Sequence, residues 1–181
     1  MAECRSEQRL SGERVWTGRL IAVDVDRVRF DDGTEAFREV VRHPGAVVIV
    51  ALDAEQHVLL VSQFRYAVGR TLLELPAGTL AAAEEPLACA RRELAEETAS
   101  AARRWTALAR FYSAPGFCDE ELHCFLAEGL SPTPGHTEPD ERIEVVPVSL
   151  DRALELIDLG EIRDSKSVAG VLLAVRRLSR T

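Results

Sequence analysis

Two almost unbroken apolar runs, AVVIVALD at 46–53 and HVLLVSQFR at 57–65, flank the polar turn Asp53-Ala54-Glu55-Gln56. A strand with one wet face alternates apolar and polar side chains. Runs this uniform instead predict neighbouring strands in a central sheet covered on both faces. The cover has to come from the rest of the chain. Helical period runs from about Pro86 to Ala99, through LDRALELIDLG, and from about Ser165 to Leu178, while RWTALARFYSA, ELHCFLAEGL and IEVVPVSL read as further strands. The expectation is a mixed sheet with helices.

Residues 14–42 differ in character. They alternate in short β-branched runs, and Asp32-Gly33 supplies a hairpin turn, so they predict a small antiparallel meander. SPTPGHTEPDER at 131–142, rich in proline and acids, predicts a surface loop. Ser149 or Asp151 opens the helix that Gly160 ends. With 181 residues, the chain suits one compact domain or a main domain with a small appendage, and its 46% hydrophobic and 29% charged residues are spread rather than blocked.

A net charge of −8 argues against a nucleic-acid partner, because such binding rests on Lys and Arg neutralising phosphates. No apolar run approaches the roughly 18 residues of a membrane span, and MAECRSEQRL lacks the apolar core of a signal peptide, so no membrane partner and a cytoplasmic location are expected. Cys4, Cys89, Cys118 and Cys124 form no CxxC pair and read as reduced thiols, mostly buried. His43, His57, His123 and His136 are scattered, which disfavours a histidine zinc site.

One helix crowds like charge. Pro86 fits its first position, and Glu84 and Glu85 precede it where the helix dipole favours anions. Leu87, Ala90, Leu94 and Thr98 line one stripe, while Glu93 and Glu97, one turn apart, project from a neighbouring face beside Glu96. Like charges at this spacing cost only about 0.2–0.5 kcal/mol per pair, so a solvated face is tolerable. The position says more: the helix follows Leu75-Pro76-Ala77-Gly78, where a strand breaks into a glycine loop. Carboxylates gathered at such a break suit a hard divalent cation that shares its shell with phosphates.

Gly78, Glu84, Arg92-Glu93-Leu94 and Glu96-Glu97 stand at the spacing G-x5-E-x7-R-E-U-x-E-E, and in this the chain resembles the Nudix hydrolases. Its departures are Ala99 and Ser100, where the motif ends in glycine and an aliphatic residue. The flanks HPGAVVIVAL, Gln63-Phe64-Arg65, Leu73 to Gly78, Ser113-Ala114-Pro115-Gly116 and GEIRDSKSVAGVLLA are similar to the ADP-ribose pyrophosphatase branch. The resemblance implies an α/β fold: a Nudix α/β/α sandwich with a mixed sheet at 43–181, preceded by a small antiparallel β domain at 1–42. It also implies Mg²⁺-dependent hydrolysis of ADP-ribose to AMP and ribose 5-phosphate, with Mn²⁺ as an alternative ion.

By the same resemblance, Glu93, Glu97, the Ala77 carbonyl and Glu141 hold metal, with Glu96 a further ligand or water-positioner. Glu84 and Arg92 brace the loop at Gly78. Arg65 would take phosphate; Glu74 and Glu120 would contact substrate; Arg38 and Trp16 would meet adenine. The general base expected two residues before Glu141 is Pro139, which leaves Glu138, Asp140, Glu120 or metal-bound hydroxide, with Glu138 favoured. A homodimer through the N-terminal β segment is expected. Two alternatives stay open: another nucleotide sugar such as GDP-mannose or UDP-glucose, and a sensor that binds ADP-ribose without cleaving it.

Overall fold

The computed structural model describes residues 6–135 and 142–180. The chain divides into two compact units, Met1–Gly45 with Tyr112–Glu121, and Ala46–Phe111 with Leu122–Thr181.

The first unit holds a three-stranded antiparallel sheet in the order β1 (Glu7–Thr17), β2 (Ala22–Phe30), β3 (Glu35–Arg42). Gly33, at φ 85°, closes the β2–β3 turn at the expected Asp32-Gly33. β2 buries every second residue, Ala22, Asp24, Asp26 and Val28. Two acids on that face need cations. Arg14 and then Arg42 pair with Asp24 and hold its carboxyl down at about 2, and Arg42 also reaches Asp26 and Asp119. The 112–121 segment joins β3 through Val41 N–H to the Phe117 carbonyl (2.7 Å) and Asp119 N–H to the Val41 carbonyl (3.1 Å). β1 starts at Glu7, ahead of the alternation at 14–42, and its side chains are almost all exposed. Without burial, no periodicity is imposed on it.

In the second unit the two apolar runs become β4 (Ala46–Leu52) and β5 (His57–Arg65). They lie inside a seven-stranded sheet of order β10-β5-β4-β9-β8, with β6 (Arg70–Glu74) on β5 and β7 (Ala77–Thr79) on β4; β8 is Ser100–Tyr112, β9 Glu121–Pro132 and β10 Ile143–Ser149. β4 runs parallel to β9, from Ala46↔Leu122 to Leu52↔Glu128, and β10 runs antiparallel to β5. The sheet is therefore mixed.

Every residue of β4 is buried. Val48, Val50 and Leu52 enter one core with α2 (Leu150–Asp158) and α3 (Ser165–Leu178). Val47, Ile49 and Ala51 enter the opposite core with Cys89, Ala90 and Leu94 of α1 (Pro86–Thr98). Each large side chain fully buried there contributes roughly 1.5–3 kcal/mol, which is why this sheet has helices on both faces. The expected two-sided burial holds along all of β4 and over residues 58–61 of β5, whose far end leaves Phe64 exposed. α2 is capped by Ser149, whose hydroxyl accepts from Arg152 N–H, and α3 by Asp164, which accepts from Ser167 N–H. α1 ends in Ala99, at φ 49° in the left-handed region that glycine occupies more cheaply.

Candidate active site

β6 ends at Glu74, and the next residues are pinned from two sides. Leu75 N–H donates to the Ser167 hydroxyl at 2.7 Å, and Ile49 N–H donates to the Pro76 carbonyl at 2.9 Å. Gly170 lets α3 approach closely, since a Cβ there would lie 2.5 Å from Leu75 Cδ1. The backbone entering Ala77 and Gly78 is thus fixed before any acid of α1 is considered.

α1 turns Cys89, Ala90 and Leu94 inward, which orients its acids toward that backbone. Glu97 is 6% exposed and accepts the Ala77 N–H on Oε2 at 3.2 Å. Glu93 lies over Gly78: a Cβ at 78 would be 1.8 Å from Glu93 Cδ. Glycine is required there for room. Arg92 gathers the other carboxylates, with Nε and Nη2 donating to Glu84 at 3.0 Å each, and Nη1 to Glu93 at 2.7 Å and Glu96 at 2.9 Å. That guanidinium, helped by the Ala81 N–H, holds the Glu84 carboxyl at about 2. Cys89 Sγ lies 3.3 Å from Arg92 Nη2, and burial pushes its thiol up to about 12, which favours the protonated form.

A second ionic group occupies the ends of β5 and β6. Arg65 Nε and Nη2 donate to Glu74, the shortest contact being 2.6 Å, and Lys166 Nζ donates to Glu74 Oε2 at 2.5 Å and to Asp164 Oδ1 at 2.8 Å. Glu74 is only 2% exposed. Burial alone would raise its pKa, but the hydrogen bond from Arg65 and the charge of Lys166 outweigh this and hold it below the ordinary carboxylate value. Arg65 is raised by Glu74 first, with smaller contributions from Glu97 and Asp164, so its field reaches the α1 acids.

The other sequence-chosen residues lie in the first unit. Trp16 is half-exposed with its indole folded over Gly18, and Arg38 pairs with Glu7 at 2.8 Å while facing the Phe30 ring. Glu120 Oε1 lies 3.5 Å from His43 Nδ1. Glu138, Pro139, Asp140 and Glu141 fall outside the described residues.

The NUDIX domain family matches residues 41–169, which contain the whole of the Gly78–Glu97 arrangement. The chain belongs to the Nudix family. This Nudix hydrolase is 40% identical to an ADP-ribose pyrophosphatase of Bacillus subtilis (strain 168) over 91% of its own length and 90% of that protein. It is 41% identical to an ADP-ribose pyrophosphatase of Mycobacterium tuberculosis (strain ATCC 25618 / H37Rv), covering 90% and 80% of the two chains. A methanol dehydrogenase activator of Bacillus methanolicus is 36% identical over 94% of each. The crystal structure of an ADP compounds hydrolase superposes with a TM-score of 0.87 over 97% of this chain and 95% of that one, at 22% identity, which supports the fold. The enzyme is an ADP-ribose pyrophosphatase-like Nudix pyrophosphatase with the mixed α/β fold of its family.

The Nudix hydrolase's α1 donors are all oxygens. Three carboxylates, Glu84, Glu93 and Glu96, converge on the Arg92 guanidinium beside Gly78, and a gathering of oxygen donors of that kind fits a hard divalent cation. Among the described residues, the group whose ligand atoms all lie within 4.8 Å of one another is elsewhere, at Asp53, Glu55 and His57 in the β4–β5 turn. Asp53 there caps the turn by accepting the N–H groups of Glu55 and His57. The sequence reading omitted Asp164, Lys166 and Ser167 of the Nudix hydrolase. They sit in GEIRDSKSVAGVLLA, a segment the family resemblance singles out, but Lys166 and Ser167 meet Glu74 and Leu75 from 92 residues away, while Asp164 pairs with both of them locally.

Proposed function

We propose that this enzyme hydrolyses the diphosphate bond of ADP-ribose, giving AMP and ribose 5-phosphate. The observation that carries the reading is its near-full-length kinship, at 40% and 41% identity, with two proteins named ADP-ribose pyrophosphatase. Glu93, Glu97, the Ala77 carbonyl and Glu141 would hold Mg²⁺, or Mn²⁺, with Glu96 as a further ligand or water-positioner. When bound, such ions neutralise diphosphate charge and lower the pKa of the attacking water.

The chain's own residues do the rest. Gly78 leaves space for the Glu93 carboxylate, and the Glu84–Arg92 pair braces the loop against α1. Arg65 offers a phosphate oxygen its Nη1 edge, which has no partner among the described residues, because Glu74 engages Nε and Nη2. Glu138 would take the proton of the attacking water, Glu120 and Glu74 would contact substrate, and Trp16 and Arg38 of the 1–42 segment would meet adenine. That segment also forms the homodimer contact.

The test is a panel of ADP-ribose, GDP-mannose and UDP-glucose with Mg²⁺, products resolved chromatographically. ADP-ribose should show the highest kcat/KM by at least about tenfold, the scale of 1.4 kcal/mol in transition-state binding. A preference for either other sugar nucleotide overturns the substrate, and tight binding without turnover makes the protein a sensor. Glu138→Gln and Glu141→Gln separate base from ligand, because only the ligand variant should recover part of its rate at high metal concentration.

A further inference from the structure

Lys166 occupies an awkward place. It is the second residue of α3, where the helix dipole disfavours a cation, and its side chain is only 16% exposed, although lysine is rarely buried unless paired. Two carboxylates hold it there: Asp164, the cap of α3, and Glu74, at the end of β6. Asp164 Oδ1 also accepts the Ser167 N–H, so one oxygen ties the lysine to the helix cap. α3 is itself locked to the β6–β7 break by the Ser167 hydroxyl and by the close approach at Gly170. The lysine therefore hangs from a rigid support, and what it grips is Glu74.

Glu74 in turn sets Arg65. An arginine–carboxylate pair without a third anchor can swing as a unit on two flexible stems, whereas Lys166 fixes the Glu74 oxygen that Arg65 Nη2 contacts at 2.6 Å. We propose that Lys166 is a positioning residue of the reaction, acting through Glu74 to orient the Arg65 guanidinium toward a substrate diphosphate. The proposal rests on the phosphate role given to Arg65 above and deepens it. Its charge matters as well as its grip: with Lys166 present, Glu74 and Asp164 are matched by two cations, and without it the region that must receive a diphosphate gains net negative charge. Misplacing a binding group by about 1 Å can cost up to about 10²-fold in rate.

The experiment measures steady-state kinetics on ADP-ribose and calorimetric binding of ADP, both with Mg²⁺, for wild type, Lys166→Met, Lys166→Arg, Arg65→Met and the Arg65→Met/Lys166→Met double variant. Lys166→Met should raise KM and weaken ADP binding about tenfold with kcat within about threefold, and Lys166→Arg should restore most of the loss. In the Arg65→Met background the lysine change should add less than about twofold, because the group it positions is gone. An unchanged KM in Lys166→Met, or the same loss with and without Arg65, overturns the proposal; the latter is what a merely structural lysine gives. If Lys166→Met does not fold, Lys166→Gln enters the same cycle with the same criteria. A wild type that binds ADP but cleaves no sugar nucleotide refutes the proposed reaction, while the ADP-binding series still decides the role of Lys166.

Discussion

Two arginine-centred clusters lie in the same unit and differ in charge balance. Around Arg65, two carboxylates, Glu74 and Asp164, meet two cations, Arg65 and Lys166, and the central acid is 2% exposed. Around Arg92, three carboxylates pair with its guanidinium, and Glu96 and Arg92 both keep about a third of their side-chain surface in water. The first cluster is matched in charge: the burial of Glu74 demands pairing, since an unpaired buried charge costs several kcal/mol. The second puts three carboxylates on one guanidinium in partial contact with solvent. A buried, matched cluster holds geometry; a carboxylate-rich, part-exposed one is where the proposed metal would bind.

Substitutions can break this contrast. Glu74→Gln should be the most damaging to stability, by about 1–3 kcal/mol in urea unfolding, because it leaves the part-buried Lys166 and the more exposed Arg65 with one remaining acid, at a cost that solvent reduces. A cost below about 1 kcal/mol would place that cluster with the solvated ones. Glu97→Gln should reverse the pattern: the amide oxygen still accepts the Ala77 N–H, so unfolding should cost less than in Glu74→Gln, while Mg²⁺-dependent turnover drops more than the 10–100-fold typical of losing a group behind the ligands. Near-normal turnover in that variant removes Glu97 from the proposed metal ligands. Gly78→Ala should slow hydrolysis about tenfold by pushing the Glu93 carboxylate aside, with a stability change under about 1 kcal/mol because the displaced group is a flexible end. Ala99→Gly should leave activity alone and stabilise by about 1 kcal/mol, relieving a left-handed alanine, as thermal melts would show.

What the sequence revealed follows from range. α1 begins at Pro86 and β4 and β5 fall on the apolar runs because burial, proline geometry and helical period act over a few residues. The spacing of Gly78, Glu84, Arg92 and Glu93 was equally legible, since one loop and one helix carry all four. β1 was read only in part, because its exposed side chains carry no alternation. Lys166 escaped notice because its meaning lies in a contact with Glu74 across 92 residues, and a lysine in a first helical turn otherwise reads as solvated. Ala99 was seen as a departure from the motif, but only the backbone angle of 49° shows that the alanine adopts the conformation glycine would have supplied.

The parallel pairing of β4 with β9 carries a kinetic consequence. Ala46 meets Leu122 only after the intervening chain, α1 included, has been brought round, so the strand at the centre of the sheet gains its second neighbour through a large loop closure. Until then AVVIVAL exposes an unpaired, wholly apolar edge. Refolding should therefore be slow for a chain of this size and prone to self-association in its early stages, a vulnerability located in the strand that is the best protected once the fold is complete.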